Sequence, residues 1–204
     1  MIYLLHVFYG ILMSYIGFIS PGMINMASLK ISLNKGRKQG LLFAFGASLI
    51  VFIQSGIALF FADYFVQNPQ IVSYLKIAGV VVFFLLAIVF FVQAKRKINS
   101  LKEKDKNRYF LKGIGMSLIN MLAIPFYLAV SIFLASEGKI IIEQPYILLF
   151  VFGASLGAFL LFSTYIAFAN FISTRIAFIA KNINYILSGL FLVLGISTLY
   201  KLLV

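Results

Sequence analysis

The chain predicts an all-α, polytopic membrane protein with six transmembrane helices arranged as two inverted three-helix repeats. Three observations lead there. Hydrophobic residues make up 63% of the 204, only 11% are charged, and mean hydropathy is +1.07, a composition foreign to a soluble domain of this size. Six apolar stretches each reach the ~20 residues that cross a hydrocarbon core. The pentapeptide Phe-Gly-Ala-Ser-Leu occurs at Phe45–Leu49 and again at Phe152–Leu156, an offset of 107.

The spans are expected at approximately Ile2–Leu33, Leu41–Phe61, Ile71–Ala94, Phe110–Ala135, Tyr146–Phe171 and Asn184–Leu203. The first has no basic n-region, so it reads as a retained span rather than a cleaved signal. It is too long for one upright helix and holds Ser20-Pro21-Gly22 near its middle. Proline removes a backbone donor and clashes with the carbonyl four residues back, so a helix there kinks or breaks. Ser20 suits the N-cap of a helix restarting at Pro21. In hydrocarbon, freed backbone groups are tolerated only where protein or a water-filled cavity satisfies them. The break is therefore either a packed kink or half of a binding site. Pro125 falls at a similar point of the fourth span, and Pro69 and Pro145 punctuate two connections. Gly40, Ala44 and Ser48 in the second span, and Gly153 and Gly157 in the fifth, form small-residue faces for close helix packing. Such faces serve within one subunit or between two, so a homodimer is compatible with them.

Lys and Arg set the orientation. Lys35, Arg37 and Lys38 lie in the first connection, and Lys95, Arg96, Lys97, Lys102, Lys104, Lys106, Arg108 and Lys112 in or beside the third. Arg175 and Lys181 lie in the fifth; the second has none and the fourth only Lys139. Odd connections then face the cytoplasm and both termini the outside. The net charge of +12 is clustered between apolar runs, which reads as cytoplasmic loops beside a lipid bilayer rather than a nucleic-acid surface. One transporter domain over 1–204 results, with repeat 1 at about 1–95, a basic loop at 95–109 and repeat 2 at about 110–204. Three spans per half is odd, so the halves insert with opposite orientation, a transporter signature when helices break at corresponding places.

The carboxylates are Asp63, Glu103, Asp105, Glu137 and Glu143, all in or beside connections, and there is no cysteine. Paired-carboxylate catalysis, a carboxylate cage, thiolate metal sites and an intramembrane proton relay are thus unsupported, and no enzyme, metal or cofactor is expected. His6, the one histidine, reads as an interfacial residue; Lys30 and Lys76 read as snorkelling anchors, with Asp63 a partner for Lys76. Gln54, Ser117 and Asn120 read as interhelical hydrogen-bonding groups. The remaining chemistry belongs to the breaks. Helices restarting at Pro21 and Pro125 would present unpaired N–H groups to an anion such as a carboxylate, with Asn25 and Asn120 adding neutral hydrogen bonds. Ser20, Pro21, Gly22, Asn25, Asn120 and Pro125 are therefore the candidate substrate-binding residues, against the alternative of two kinks without a ligand.

Pro21-Gly22, then Gly36-Arg37-x-x-Gly40-Leu41 and Gly46, resemble the first half of the LysE/RhtB family of amino-acid exporters. Phe110-x-x-Gly113 with Asn120, and Gly189 and Gly195, resemble its second half. The family's Pro-Gly-Pro followed by Asp or Asn is here Pro21-Gly22-Met23-Ile24-Asn25, and its Asn-Pro-Lys is Asn120-Met121-Leu122 with proline displaced to Pro125. The resemblance implies a bacterial inner-membrane exporter of an amino acid or similar small metabolite, usually driven by the proton gradient. The alternatives are a cation exporter of the same superfamily and a non-transporting scaffold using the basic loop.

Overall fold

A computed structural model describes residues 2–66, 69–95, 108–120 and 122–203. The described residues form α1 (Ile2–Gly17), α2 (Met23–Lys35), α3 (Arg37–Val66), α4 (Pro69–Lys95), α5 (Tyr109–Leu118), α6 (Ala123–Ser136), α7 (Tyr146–Ala167) and α8 (Ala169–Leu203). Among the described residues three helices are long and apolar enough to cross a membrane: α3, α7 and the 182–200 part of α8. The α5–α6 pair, bent by 65°, makes a fourth if it is one span. Most of the basic loop expected at 95–109, and the Lys76 side chain with its expected partnership to Asp63, lie outside the described residues.

Several boundaries differ from expectation for local reasons. The first apolar run is two helices separated by Phe18–Gly22. α3 begins at Arg37 rather than Leu41 because Gly36, at φ 97°, turns the chain in one residue. That is backbone which side chains other than glycine rarely adopt. The connection expected after Phe171 is instead helical, and α8 starts at Ala169. Arg175 and Lys181 beyond the expected span end placed a connection there, but residues 169–183 contain no glycine or proline to stop a helix.

The helices pack where glycines let backbones touch, and these contacts come in matching pairs. A Cβ at Gly10 in α1 would lie 2.2 Å from the Phe150 carbonyl oxygen in α7. One at Gly113 in α5 would lie 2.1 Å from that of Phe43 in α3. In the reverse direction, Gly153 meets the carbonyl of Val7 and Gly46 that of Phe110, each at 2.2 Å. Phe43 and Phe150, like Gly46 and Gly153, are 107 residues apart, the offset of the repeated pentapeptide. The expected face of α7, Gly153 and Gly157, thus meets α1, and α3 meets α5 through Gly46. A Cβ at Gly40 of the expected α3 face would instead lie 3.2 Å from Ile166 in α7 and Ser32 in α2. α3 and α7 also meet each other, where Ser155 Oγ donates to the Ser48 carbonyl at 2.9 Å. These two serines are again 107 apart. α4 pairs with α8 through aromatic rings, Phe191 lying 6.2 Å from Phe83 and 5.5 Å from Phe90.

Candidate functional site

The first break is held by its own helix and by α7 and α8. Asn25, 2% exposed, donates Nδ2 to the carbonyls of Phe18 (2.5 Å) and Ser20 (2.6 Å). Tyr165 Oη donates to the Ile19 carbonyl at 2.8 Å. Ser20 Oγ donates to Asn184 Oδ1 in α8. Ser20 is therefore not the expected N-cap. The helix restarts at Met23, Gly22 is its N-cap, and no side chain caps it. The first helical backbone bond runs from Met26 N–H to the Gly22 carbonyl. The N–H groups of Met23, Ile24 and Asn25 have no hydrogen-bond partner among the described residues. Two carbonyls fix which end of the Asn25 amide is nitrogen, and this leaves Oδ1 buried with no partner.

The second break is closed differently. Asn120 N–H bonds the Ser117 carbonyl at 3.0 Å and Ala123 N–H bonds that of Asn120 at 3.3 Å, so the chain turns tightly. Gln54, reaching over from α3, donates Nε2 to the same two carbonyls at 3.1 and 3.3 Å. This is the interhelical role expected of Gln54, and it makes that residue the brace of the break. α6 begins at Ala123, not at Pro125. Pro125 is its third residue, whereas Pro21 precedes the Gly22 cap of α2, so the two prolines do not occupy equivalent helix positions.

The breaks meet. One cavity of about 360 Å³ is lined by Ser20, Gly22, Ile24 and Asn25 from the first and by Ile119, Asn120 and Leu122 from the second. Leu86 and Phe90 of α4, Met116 of α5 and Phe126 of α6 complete much of the wall. Of the expected site residues, Ser20, Gly22, Asn25 and Asn120 line this space; Pro21 and Pro125 are not among the lining residues. Among the described residues no ionisable side chain lines it, and the Asn120 side chain makes no hydrogen bond. The hydroxyls of Ser14 and Tyr127, 2.6 Å apart and both fully buried, tie α1 to α6 beside the two breaks. His6 lies far from the cavity in sequence and contact: Nδ1 bonds the Ile2 carbonyl and Nε2 accepts the Ile141 N–H, both at 2.8 Å.

Sequence reasoning missed a second repeat signal. Gly10-Ile-Leu-Met-Ser14 and Gly113-Ile-Gly-Met-Ser117 stand 103 residues apart, just before each break. That pair aligns α1 with α5, and with it the cavity-lining Met116 with Met13.

The all-helical architecture, the membrane-length apolar helices and a cavity between two helix breaks define a multi-pass membrane protein of transporter type. Residues 15–202 match the family model described as LysE type translocator, and the chain belongs to that family. The family is one of membrane transporters rather than enzymes. No curated protein and no solved structure matches the chain.

Proposed function

We propose that the protein is a secondary transporter that exports an amino acid or similar small metabolite across the bacterial cytoplasmic membrane by alternating access. The observation that carries this is the uncapped start of α2 facing the shared cavity. Three N–H groups and the positive end of the helix are left for a ligand there, and helix starts of this kind receive carboxylates. The Asn120 side chain on the facing wall makes no hydrogen bond among the described residues, and its amide oxygen can accept from the ammonium of the same substrate. The negative end of α5, reaching the cavity at Met116, favours that charge as well.

The matching glycine contacts support reading α1–α4 and α5–α8 as two repeats of opposite orientation, with α1–α2 and α5–α6 each one broken span. At about 1.5 Å per residue, α2 spans roughly 20 Å and α5 roughly 15 Å. With the basic connections inside and both termini outside, each break then falls near mid-depth of a ~30 Å core. Rocking one repeat against the other would open the cavity to alternate sides. Among the described residues no carboxylate lines the cavity, and the described lining gives the cation-exporter alternative no support.

The test is an efflux screen with labelled amino acids in cells with and without the protein. Faster loss of at least one amino acid from expressing cells is expected; no difference across the set would overturn the reading. A cysteine at position 143 should react with an impermeant thiol reagent in intact cells and one at 37 should not. The reverse pattern would invert the orientation.

A further inference from the structure

We infer that the cavity selects α-amino acids with an uncharged, apolar side chain of about the size of leucine or methionine, and rejects those with ionised side chains. The inference rests on the transport reading above and narrows it. The polar groups of the cavity are few enough to assign. The three N–H groups of Met23, Ile24 and Asn25 match one carboxylate. The Asn120 side chain on the facing wall matches one ammonium. Ser20 Oγ is already committed to Asn184, and both carbonyls braced by Asn25 are occupied. After the backbone of an amino acid is satisfied, little polar capacity is left for its side chain.

What faces the side chain is apolar. Leu86, Phe90, Met116, Ile119, Leu122 and Phe126 form that part of the wall. Phe90 and Phe126 are held by the buried Phe191 ring, at 5.5 and 6.2 Å. They form a rigid surface, while Met116 can adapt its shape. A lysine ammonium or glutamate carboxylate here would lose its water and gain no partner, which is strongly unfavourable. The volume is at the low end of ligand pockets, which run from roughly 300 to 1,000 Å³, and this suits one amino acid rather than a peptide. A wall of this kind separates side chains by size only moderately, by roughly 10- to 200-fold per methylene. Charge should be discriminated more strongly than size.

The experiment uses the full chain reconstituted in liposomes loaded with unlabelled leucine, following counterflow of labelled leucine. Methionine, isoleucine and phenylalanine added outside should compete, and lysine, arginine, aspartate and glutamate at hundredfold excess should not. The 2-oxo acid lacking leucine's amine should compete at least tenfold more weakly, because the Asn120 side chain would stay unpartnered. A second readout is binding in detergent. The chain has no tryptophan, so Phe90→Trp supplies a single indole on the wall, whose emission leucine should shift and lysine should not. Leu86→Glu should gain at least tenfold in competition by lysine. Exchange of lysine or glutamate as fast as leucine would overturn the inference and leave amino-acid transport standing. Leucine that neither exchanges nor shifts the indole emission would also overturn it. Whether any other amino acid then exchanges separates this failure from that of the transport reading.

Discussion

At the first break the chain leaves α1 at Gly17 and re-enters a helix at Met23 under a glycine cap, with the new helix's leading N–H groups unspent. At the second it turns from Leu118 to Ala123 through two backbone bonds, and the third residue of the new helix is a proline without an N–H. Both breaks have their loose carbonyls held by one buried amide, Asn25 in the first and Gln54 in the second. The difference lies in the donors. A helix start buried in an apolar protein normally has its donors capped or deleted. In α6, among the described residues, Ala123 N–H is bonded to the Asn120 carbonyl, Pro125 has no N–H and only Ile124 N–H is left over. All three leading donors of α2 are unspent, so similar places in the chain have different chemistry. The first break reads as the ligand site and the second as the wall opposite it.

The largest effect expected from this contrast is at Asn25. Asn25→Asp removes both N–H donors from the Phe18 and Ser20 carbonyls and puts a negative charge where the carboxylate must bind. Repulsion in a low-dielectric site adds to the lost bonds, and the efflux rate per protein in the membrane should fall on the order of a hundredfold or more. Asn25→Ala leaves two carbonyls unpaired, costing about 1–3 kcal/mol, but brings no charge. It should be impaired less. An Asn25→Asp variant with wild-type rates would make the first break a packing kink.

Much of this geometry was legible in the sequence because proline and glycine inside an apolar run have few meanings. Pro21 and Gly22 located the first break, and the Phe-Gly-Ala-Ser-Leu repeat located the glycines on which α3 and α7 pack. The restart positions were not legible. They depend on whether a serine caps its own helix or bonds elsewhere, and Ser20 is drawn away by Asn184, 164 residues on. Gln54 as the brace of the second break was hidden for the same reason, since no local pattern pairs an α3 amide with carbonyls 63 and 66 residues later. The continuity of α8 was not legible either, because Arg175 and Lys181 mark a membrane edge and do not stop a helix where no breaker stands. Membrane-edge polarity and chain reversal are separate signals.

A sharper test of the donor argument deletes one N–H and changes little else. Met23 is the first residue of α2, where proline's fixed φ suits the helix and its missing N–H breaks no helical bond. Gly22 before it is extended, at φ −79° and ψ −177°, as a residue preceding proline should be. The Met23 side chain is 55% exposed, so little packing is lost, but it also lines the cavity, so Met23→Ala, which removes the side chain and keeps the N–H, is the control. Met23→Pro should therefore fold normally. A hydrogen bond to a charged group is worth about 1.5–3 kcal/mol, so apparent substrate affinity should drop roughly ten- to hundredfold. An unchanged affinity would mean that the carboxylate binds elsewhere.

Gln54→Leu should act on the other break, and on stability rather than on ligand. It leaves the Ser117 and Asn120 carbonyls short of one donor each while removing the unpartnered Gln54 Oε1 from the interior. The two changes partly offset, and a loss of about 1–2 kcal/mol is expected, read as a lower thermal midpoint in detergent. Substrate affinity should shift less than for Met23→Pro.

Pro125→Ala should have the smallest effect. Proline at the third position of α6 is tolerated because its missing N–H belongs to the group that has no helical partner anyway. Alanine restores that N–H, and so gives α6 a donor that α2 already has. If the second break only forms the wall, the new donor has nothing to bind. Stability should then change by no more than about 1 kcal/mol, through the freer unfolded chain. Efflux should stay within about twofold of wild type. A tenfold change in affinity, in either direction, would show that ligand reaches the start of α6 as well. The contrast between the breaks would then be one of degree, with both helix starts sharing the substrate.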